Sequence, residues 1–233
     1  MKIEYFSYPG SYHAEHGMPN EDHVGIAKNN NNISVTVVCD GAGGHGAGGI
    51  AAELLSGKLA DYVLDKFDVL YSSSSEKAKY NMICYIEDCL SEYSNNNNIA
   101  IEELATTIMI AAMDSSDGRC ICFHLGDGII LREHKYGLID VVSSPRNGIS
   151  KHTTYLTGNC NLWRHLSFYR WRESNINKII LLTDGAMDHL VTLTDHNGWQ
   201  YQNYCPTIVE DIERHLLCQN PQDDFSCAII TRR

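Results

Sequence analysis

Apolar positions along the chain keep two different periods. Residues 2–8, 24–27 and 33–38 alternate or run β-branched, which predicts three strands. From Leu54 the period changes: Leu54, Leu55, Leu59, Tyr62, Val63 and Phe67 step by three and four, the stripe of an amphipathic helix. Ser72 to Ser75 interrupts it. A second helix carries Ile83, Ile86, Leu90 and Tyr93 and stops at the asparagine run 95–98. Beyond that the period returns to two, with strands predicted over 105–110, 119–125, 129–132 and 138–142 and a tight turn at Gly126-Asp127-Gly128. A strongly apolar strand, 178–183, ends at Asp184-Gly185. A helix around Ile208, Val209, Ile212, Leu216 and Leu217 then precedes a last strand, 225–231. Residues 9–19 read as a polar loop, 29–32 as an asparagine turn suited to left-handed backbone, and 144–177 as irregular. Strands in runs beside two neighbouring helices predict an α+β fold with mostly antiparallel pairing, and no repeat or boundary divides residues 1–233 into more than one domain.

Composition narrows the function. The formal charge of −11 argues against nucleic acid as a partner, because phosphate affinity comes mostly from clustered Lys and Arg. No apolar run approaches membrane-spanning length, and the first residues lack the apolar core of a signal peptide. Nine cysteines without a paired framework fit a reducing cytoplasm, with Cys120 and Cys122 read as buried thiols on a strand. His13, His16 and His23 match no zinc spacing and read as surface histidines.

The candidate chemistry lies where strands end. Asp40 closes an apolar strand and opens a loop in which six of the next nine residues are glycine. Glycine there permits positive φ and close approach of a ligand to the backbone. Asp184 and Asp127 likewise follow strands, whereas Asp22 and Asp223 precede them. In antiparallel neighbours one strand's exit lies beside its partner's entrance, so these five carboxylates can share one sheet edge. Clustered carboxylates cannot all ionise unaided, and an all-oxygen donor set suits Mg²⁺ or Mn²⁺ rather than zinc.

Taken in order, Asn20-Glu21-Asp22, Asp40-Gly41-x-Gly43-Gly44, Ala105-Thr106-Thr107, Gly126-Asp127, Asp184-Gly185-x-x-Asp188 and Asp223-Asp224-Phe225-Ser226 resemble the motifs of metal-dependent, type-2C serine/threonine protein phosphatases. Each motif is weak alone, but six in order from residue 20 to 226 are specific. The approach Gly17-x-Pro19-Asn20 and the later Ser144-Pro145-Arg146-Asn147-Gly148 look most like the compact microbial branch. The resemblance implies a four-layer αββα sandwich, two packed antiparallel β-sheets flanked by α-helices. It also implies hydrolysis of phosphoserine and phosphothreonine in proteins, opposing a Ser/Thr kinase, by a metal-bridging water and without a covalent phosphoenzyme.

Carried over by position, Asp40 bridges two Mn²⁺ or Mg²⁺ ions, Gly41 offers its carbonyl, and Asp184 and Asp223 complete the first ion's shell. Glu21 and Asp22 bind metal or hold its waters, and Asp127 and Asp188 form a third, weaker site with Asp184. Three positions depart from the family pattern. Ala42 stands where many members have a histidine that serves as acid for the leaving alcohol. Gly17 stands near the place of an arginine that grips phosphate, and Ile129 replaces an arginine after the Gly-Asp turn. His45, three residues after Ala42, is a candidate replacement acid, weighed against a solvated loop histidine.

Two other readings compete. A catalytically weak phosphatase-like module would bind phosphoproteins or a signalling partner without turnover. A dinucleotide-binding oxidoreductase would use Gly41-x-Gly43-x-x-Gly46 with Asp65, but Asp65 falls inside the helical stripe and Asp40 puts negative charge where pyrophosphate must sit. Residues 146–178 hold six Lys or Arg against the single acid Glu173, interleaved with Trp163, Phe168, Tyr169 and Trp171. They form either a steering surface for a phosphorylated segment or a solvated basic face over packed aromatics.

Overall fold

The structure, a computed structural model, describes residues 1–30, 32–43, 46–146, 154–195, 202–206 and 211–232. The chain forms β1 (Lys2–Tyr8), α1 (Ser11–His16), β2 (Asp22–Lys28), β3 (Ile33–Asp40), α2 (Gly48–Ser72) and α3 (Ser75–Asn97). After these come β4 (Ile108–Asp114), β5 (Arg119–Leu125), β6 (Ile129–His134), β7 (Ile139–Ser143), α4 (Leu162–His165) and β8 (Ser167–Arg172). The remainder is β9 (Ile176–Leu182), α5 (Asp184–Leu190), β10 (Val191–Asp195), β11 (Gln202–Pro206), α6 (Ile212–Gln219) and β12 (Phe225–Thr231). Two five-stranded sheets result, ordered β2-β3-β4-β5-β8 and β1-β12-β9-β6-β7, with β10-β11 a separate hairpin. Every pairing between these strands is antiparallel.

Three apolar clusters separate four layers. Leu55, Leu59, Val63 and Phe67 of α2 and Met82, Ile86 and Leu90 of α3 pack on one face of the first sheet, against Val35, Val37, Ile110 and Phe123. The opposite face of that sheet, with Val38, Met109 and Cys122, meets Ile130, Ile179, Leu181 and Ala228 of the second sheet. The far face of the second sheet, with Leu131, Ile180 and Cys227, is covered by Met187 and Leu190 of α5 and Leu216 of α6. The α+β sandwich of two antiparallel sheets flanked by helices agrees with expectation. Strand parity then places Asp40 on the same face as Val38, toward the seam between the sheets.

Several elements differ from the sequence reading. Residues 9–19 contain α1, a six-residue helix held by backbone bonds from Ser11 N–H to Pro221 O (2.9 Å) and Tyr12 N–H to Gln222 O (3.1 Å). Such remote partners leave no periodic trace. The span 144–177, read as irregular, contains α4 and β8, where β8 is an edge strand paired with β5. The fourth strand begins at Ile108 because Thr106 and Thr107 bond instead to the end of β3. The helix predicted around 208–217 begins at Ile212; Ile208 and Val209 lie outside the described residues. Asn32, Asn98 and Asn220 take positive φ, with Asn98 capping α3 and Asn220 capping α6.

Three basic residues of 146–178, namely Arg170, Arg172 and Lys178, are tied to the fold, and Lys151 lies outside the described residues. Arg170 donates to the carbonyls of Tyr71 and Ser73 at the end of α2, and Arg172 Nε donates to Asp117 O at 3.2 Å. Lys178 pairs with Glu133 at 2.8 Å, and Arg132 stacks on Trp171. The eight described cysteines in the set of free thiols include Cys120 and Cys122, both fully buried. No described helix is long and apolar enough to cross a membrane.

The layer assignment is checked by paired substitutions on α2. Leu59→Ala, which removes a fully buried side chain, should cost about 2–5 kcal/mol in urea unfolding. Val69→Ala, on the half-exposed face of the same helix, should change stability by less than about 0.5 kcal/mol.

Candidate metal centre

The register between β2 and β3 sets Asp22 directly opposite Asp40. The backbone of Asp40 is pinned on its other side. Its N–H donates to Thr107 Oγ1 at 3.0 Å, and its carbonyl accepts from Thr107 N–H at 2.9 Å and Thr106 Oγ1 at 2.7 Å. Gly41 N–H donates to Glu21 O at 3.1 Å, and no hydrogen bond among the described residues ends on the Gly41 carbonyl. Thr106 and Thr107 thus hold the backbone of Asp40 in place, and Thr107 also lines the cavity described below.

None of the described glycines in the 41–49 loop has a positive φ, contrary to the first role assigned to them. Gly41 and Gly48 instead allow backbone to touch backbone. A Cβ on Gly41 would lie 2.5 Å from the carbonyl carbon of Gly48, and one on Gly48 would lie 2.6 Å from the nitrogen and oxygen of Ala42. Gly41 and Ala42 therefore lie directly against the start of α2.

Asp184 opens α5 and Asp127 sits in the turn between β5 and β6. Carboxylate oxygens of Asp40, Asp127 and Asp184 all lie within 4.8 Å of one another. These three, with Glu21, Gly41 and Asp223, line one cavity of about 780 Å³. Asp22 stands behind them, 2% exposed: its Oδ2 accepts from Thr183 Oγ1 at 3.0 Å, and its Oδ1 is buried with no partner among the described residues. Asp188, one turn along α5, lines an adjoining cavity with Asp223. His45 lies outside the described residues. Gly17 is exposed and ends α1 in left-handed conformation, while Ile129 is fully buried under α5. Neither lines the cavity; Ala42 does.

Electrostatics reports the cost of this convergence. Burial, then the charges of Asp22, Asp184 and Asp127, push Asp40 well above the usual carboxylate range. Burial also raises Asp22, opposed by hydrogen bonds from Ser226 and Thr183. Asp184 rises to about 7, through burial first and then the charges of Asp127 and Asp223. Glu21 and Asp127 are raised as well, again chiefly by burial. Thr154 Oγ1 donates to Asp127 and partly offsets its rise.

His13 is not the surface histidine expected. It projects from α1 into the cavity wall, 12% exposed, and its Nδ1 lies 2.9 Å from the Asp224 carboxylate. Asp224 is itself 5% exposed and accepts from Gly10 N–H at 2.8 Å and Glu21 N–H at 2.7 Å. One carboxylate thereby joins α1, the entry to β2 and the entry to β12. The signal in the sequence was the doubled Asp223-Asp224, whose second member serves the scaffold. His16 is exposed, and His23 is half-buried, with burial lowering its pKa.

Residues 9–215 match the model of the protein phosphatase 2C family. The chain belongs to that family. The serine/threonine phosphatase stp of Listeria monocytogenes serotype 4b (strain F2365) is 28% identical over 117 residues, which is 49% of this chain and 45% of that protein. The chain thus matches less than half the length of this curated relative. Among solved structures, the S. agalactiae serine/threonine phosphatase superposes with a TM-score of 0.67 at 16% identity, covering 100% of this chain and 99% of its own. The serine/threonine phosphatase Stp1 from Staphylococcus aureus gives 0.64 at 18% identity, covering 100% and 95%. At these identities the likeness is one of fold.

Folded Asp184 keeps its proton up to about pH 7, whereas its ordinary value is 3.8. Folding therefore takes up protons between those limits, and stability of the metal-free chain falls as pH rises through the window. Asp184→Asn should accordingly stabilise the metal-free chain at pH 8, by on the order of 1–3 kcal/mol, and leave it near wild type at pH 4.5. Urea unfolding in EDTA at the two pH values measures the difference.

Proposed function

We propose that residues 1–233 act as one domain hydrolysing phosphoserine and phosphothreonine monoesters in proteins, with Mn²⁺ or Mg²⁺ held at the sheet seam. The observation that carries this reading is the meeting of Asp40, Asp127 and Asp184 oxygens within 4.8 Å, in a cavity open to substrate. The donor set fits hard divalent cations: it is all oxygen, its members are raised by burial and mutual repulsion, and Asp22 Oδ1 is a buried acceptor without a donor. Asp40, Gly41 O, Glu21, Asp22, Asp184 and Asp223 would hold two ions, and Asp127 with Asp188 and Asp184 a third. Bound ions supply a nucleophilic water at neutral pH and neutralise charge on the phosphoryl oxygens.

The chain's own residues do the remaining work. Thr106 and Thr107 keep Asp40 rigid against the pull of a cation. Thr183 holds Asp22 in its buried place. Family membership favours a phosphoprotein substrate and an opposing Ser/Thr kinase, and the free thiols fit a reducing cytoplasm. One observation favours a second reading, a module that binds without turnover: no lysine or arginine is among the described residues lining the cavity.

Asp40→Asn separates the possibilities. The variant should lose Mn²⁺ affinity and at least about 100-fold in hydrolysis of a chromogenic phosphomonoester, read by calorimetry and absorbance. A variant that keeps both refutes the site. Wild type that binds Mn²⁺ and turns over neither an aryl phosphate nor a phosphopeptide is the binding module.

A further inference from the structure

Among the described residues, the cavity wall holds six carboxylates, Glu21, Asp40, Asp127, Asp184, Asp223 and Asp224, and one basic side chain, His13. A serine or threonine phosphomonoester leaves as an alkoxide, so P–O cleavage needs a proton at the departing oxygen. Ala42 can donate none. His13 has the build of a donor. Its Nδ1 lies against Asp224, which fixes the ring and leaves Nε2 as the nitrogen that can deliver a proton when the ring carries two. Its Nε2 has no partner among the described residues. The ring cannot drift from the carboxylates, because α1 is bonded through Ser11 and Tyr12 to Pro221 and Gln222, next to Asp223. Gly10 locks this further: a Cβ there would lie 2.2 Å from the carbonyl carbon of Asp223.

We propose that His13, oriented by Asp224, is the general acid that protonates the leaving serine or threonine oxygen. The inference rests on the phosphatase reading above. In the step, a water-derived hydroxide attacks phosphorus, and the P–O bond to the alcohol breaks with its electron pair going to that oxygen. The Nε2 proton of His13 moves to the same oxygen. The products are the free hydroxyl and inorganic phosphate, and His13 regains its proton from solvent. The structure thus places the acid on α1, an element remote in sequence from the glycine loop.

The test compares His13→Gln with wild type, both loaded with Mn²⁺, on a phosphothreonine peptide and on p-nitrophenyl phosphate. The peptide releases a poor leaving group and the aryl ester a good one. For the variant, kcat on the peptide should fall about 10²–10⁴-fold. The aryl ester should lose far less, with Mn²⁺ affinity and Tm unchanged, which separates the role from a structural one. Equal losses on both substrates, losses confined to KM, or undiminished peptide turnover would each overturn the assignment to His13. A wild type inert on both substrates with Mn²⁺ bound overturns the phosphatase reading itself, and this assignment with it.

Discussion

Repulsion between desolvated carboxylates shapes one end of this sandwich, because the fold brings acids together there from both sheets and supplies no lysine or arginine to the described cavity wall. Everything nearby serves to hold the acids in place against that repulsion. Thr106 and Thr107 grip the backbone of Asp40, Thr183 bonds Asp22, and Thr154 bonds Asp127. Neutral hydroxyls position the charges without cancelling them. A cationic side chain in each case would have offset that repulsion within the chain itself.

Asp224 plays a different part from its neighbours. It accepts from two backbone N–H groups and from His13, and so ties α1, β2 and β12 into one rigid corner. Adjacent residues therefore divide the labour: Asp223 lines the cavity with the other acids, and Asp224 sets the frame around it. The departures from the family pattern at Gly17 and Ala42 then have a local counterpart. Short helix α1 brings a histidine to a wall whose other described residues are acidic or neutral.

The layers were legible where burial is local and periodic. Leu55, Leu59, Val63 and Phe67 mark the inward stripe of α2, and all are 0–1% exposed. The carboxylates were legible too, since strand exits and entrances alternate along an antiparallel edge. What escaped depended on remote contacts. Helix α1 is fixed by residues 221–224, more than 200 positions away, so its own composition reads as loop and His13 reads as surface. The glycines at 41 and 48 were noticed for torsional freedom, yet they serve backbone contact between a loop and the helix after it. The arginines at 170 and 172, read as part of either a steering surface or a solvated basic face, bond to the end of α2 and to the turn at Asp117. A pattern of types along a chain does not say which partner is nearest in space.

The central claim is that the seam is a site for divalent cations, bought with raised carboxylate pKa values. Calorimetric titration of the metal-free chain with Mn²⁺ at pH 7, in two buffers of different ionisation enthalpy, tests it most directly. The account predicts binding accompanied by proton release, because Asp184 and its neighbours must ionise to take the ion. Absence of binding, or binding with no protons released, would contradict it.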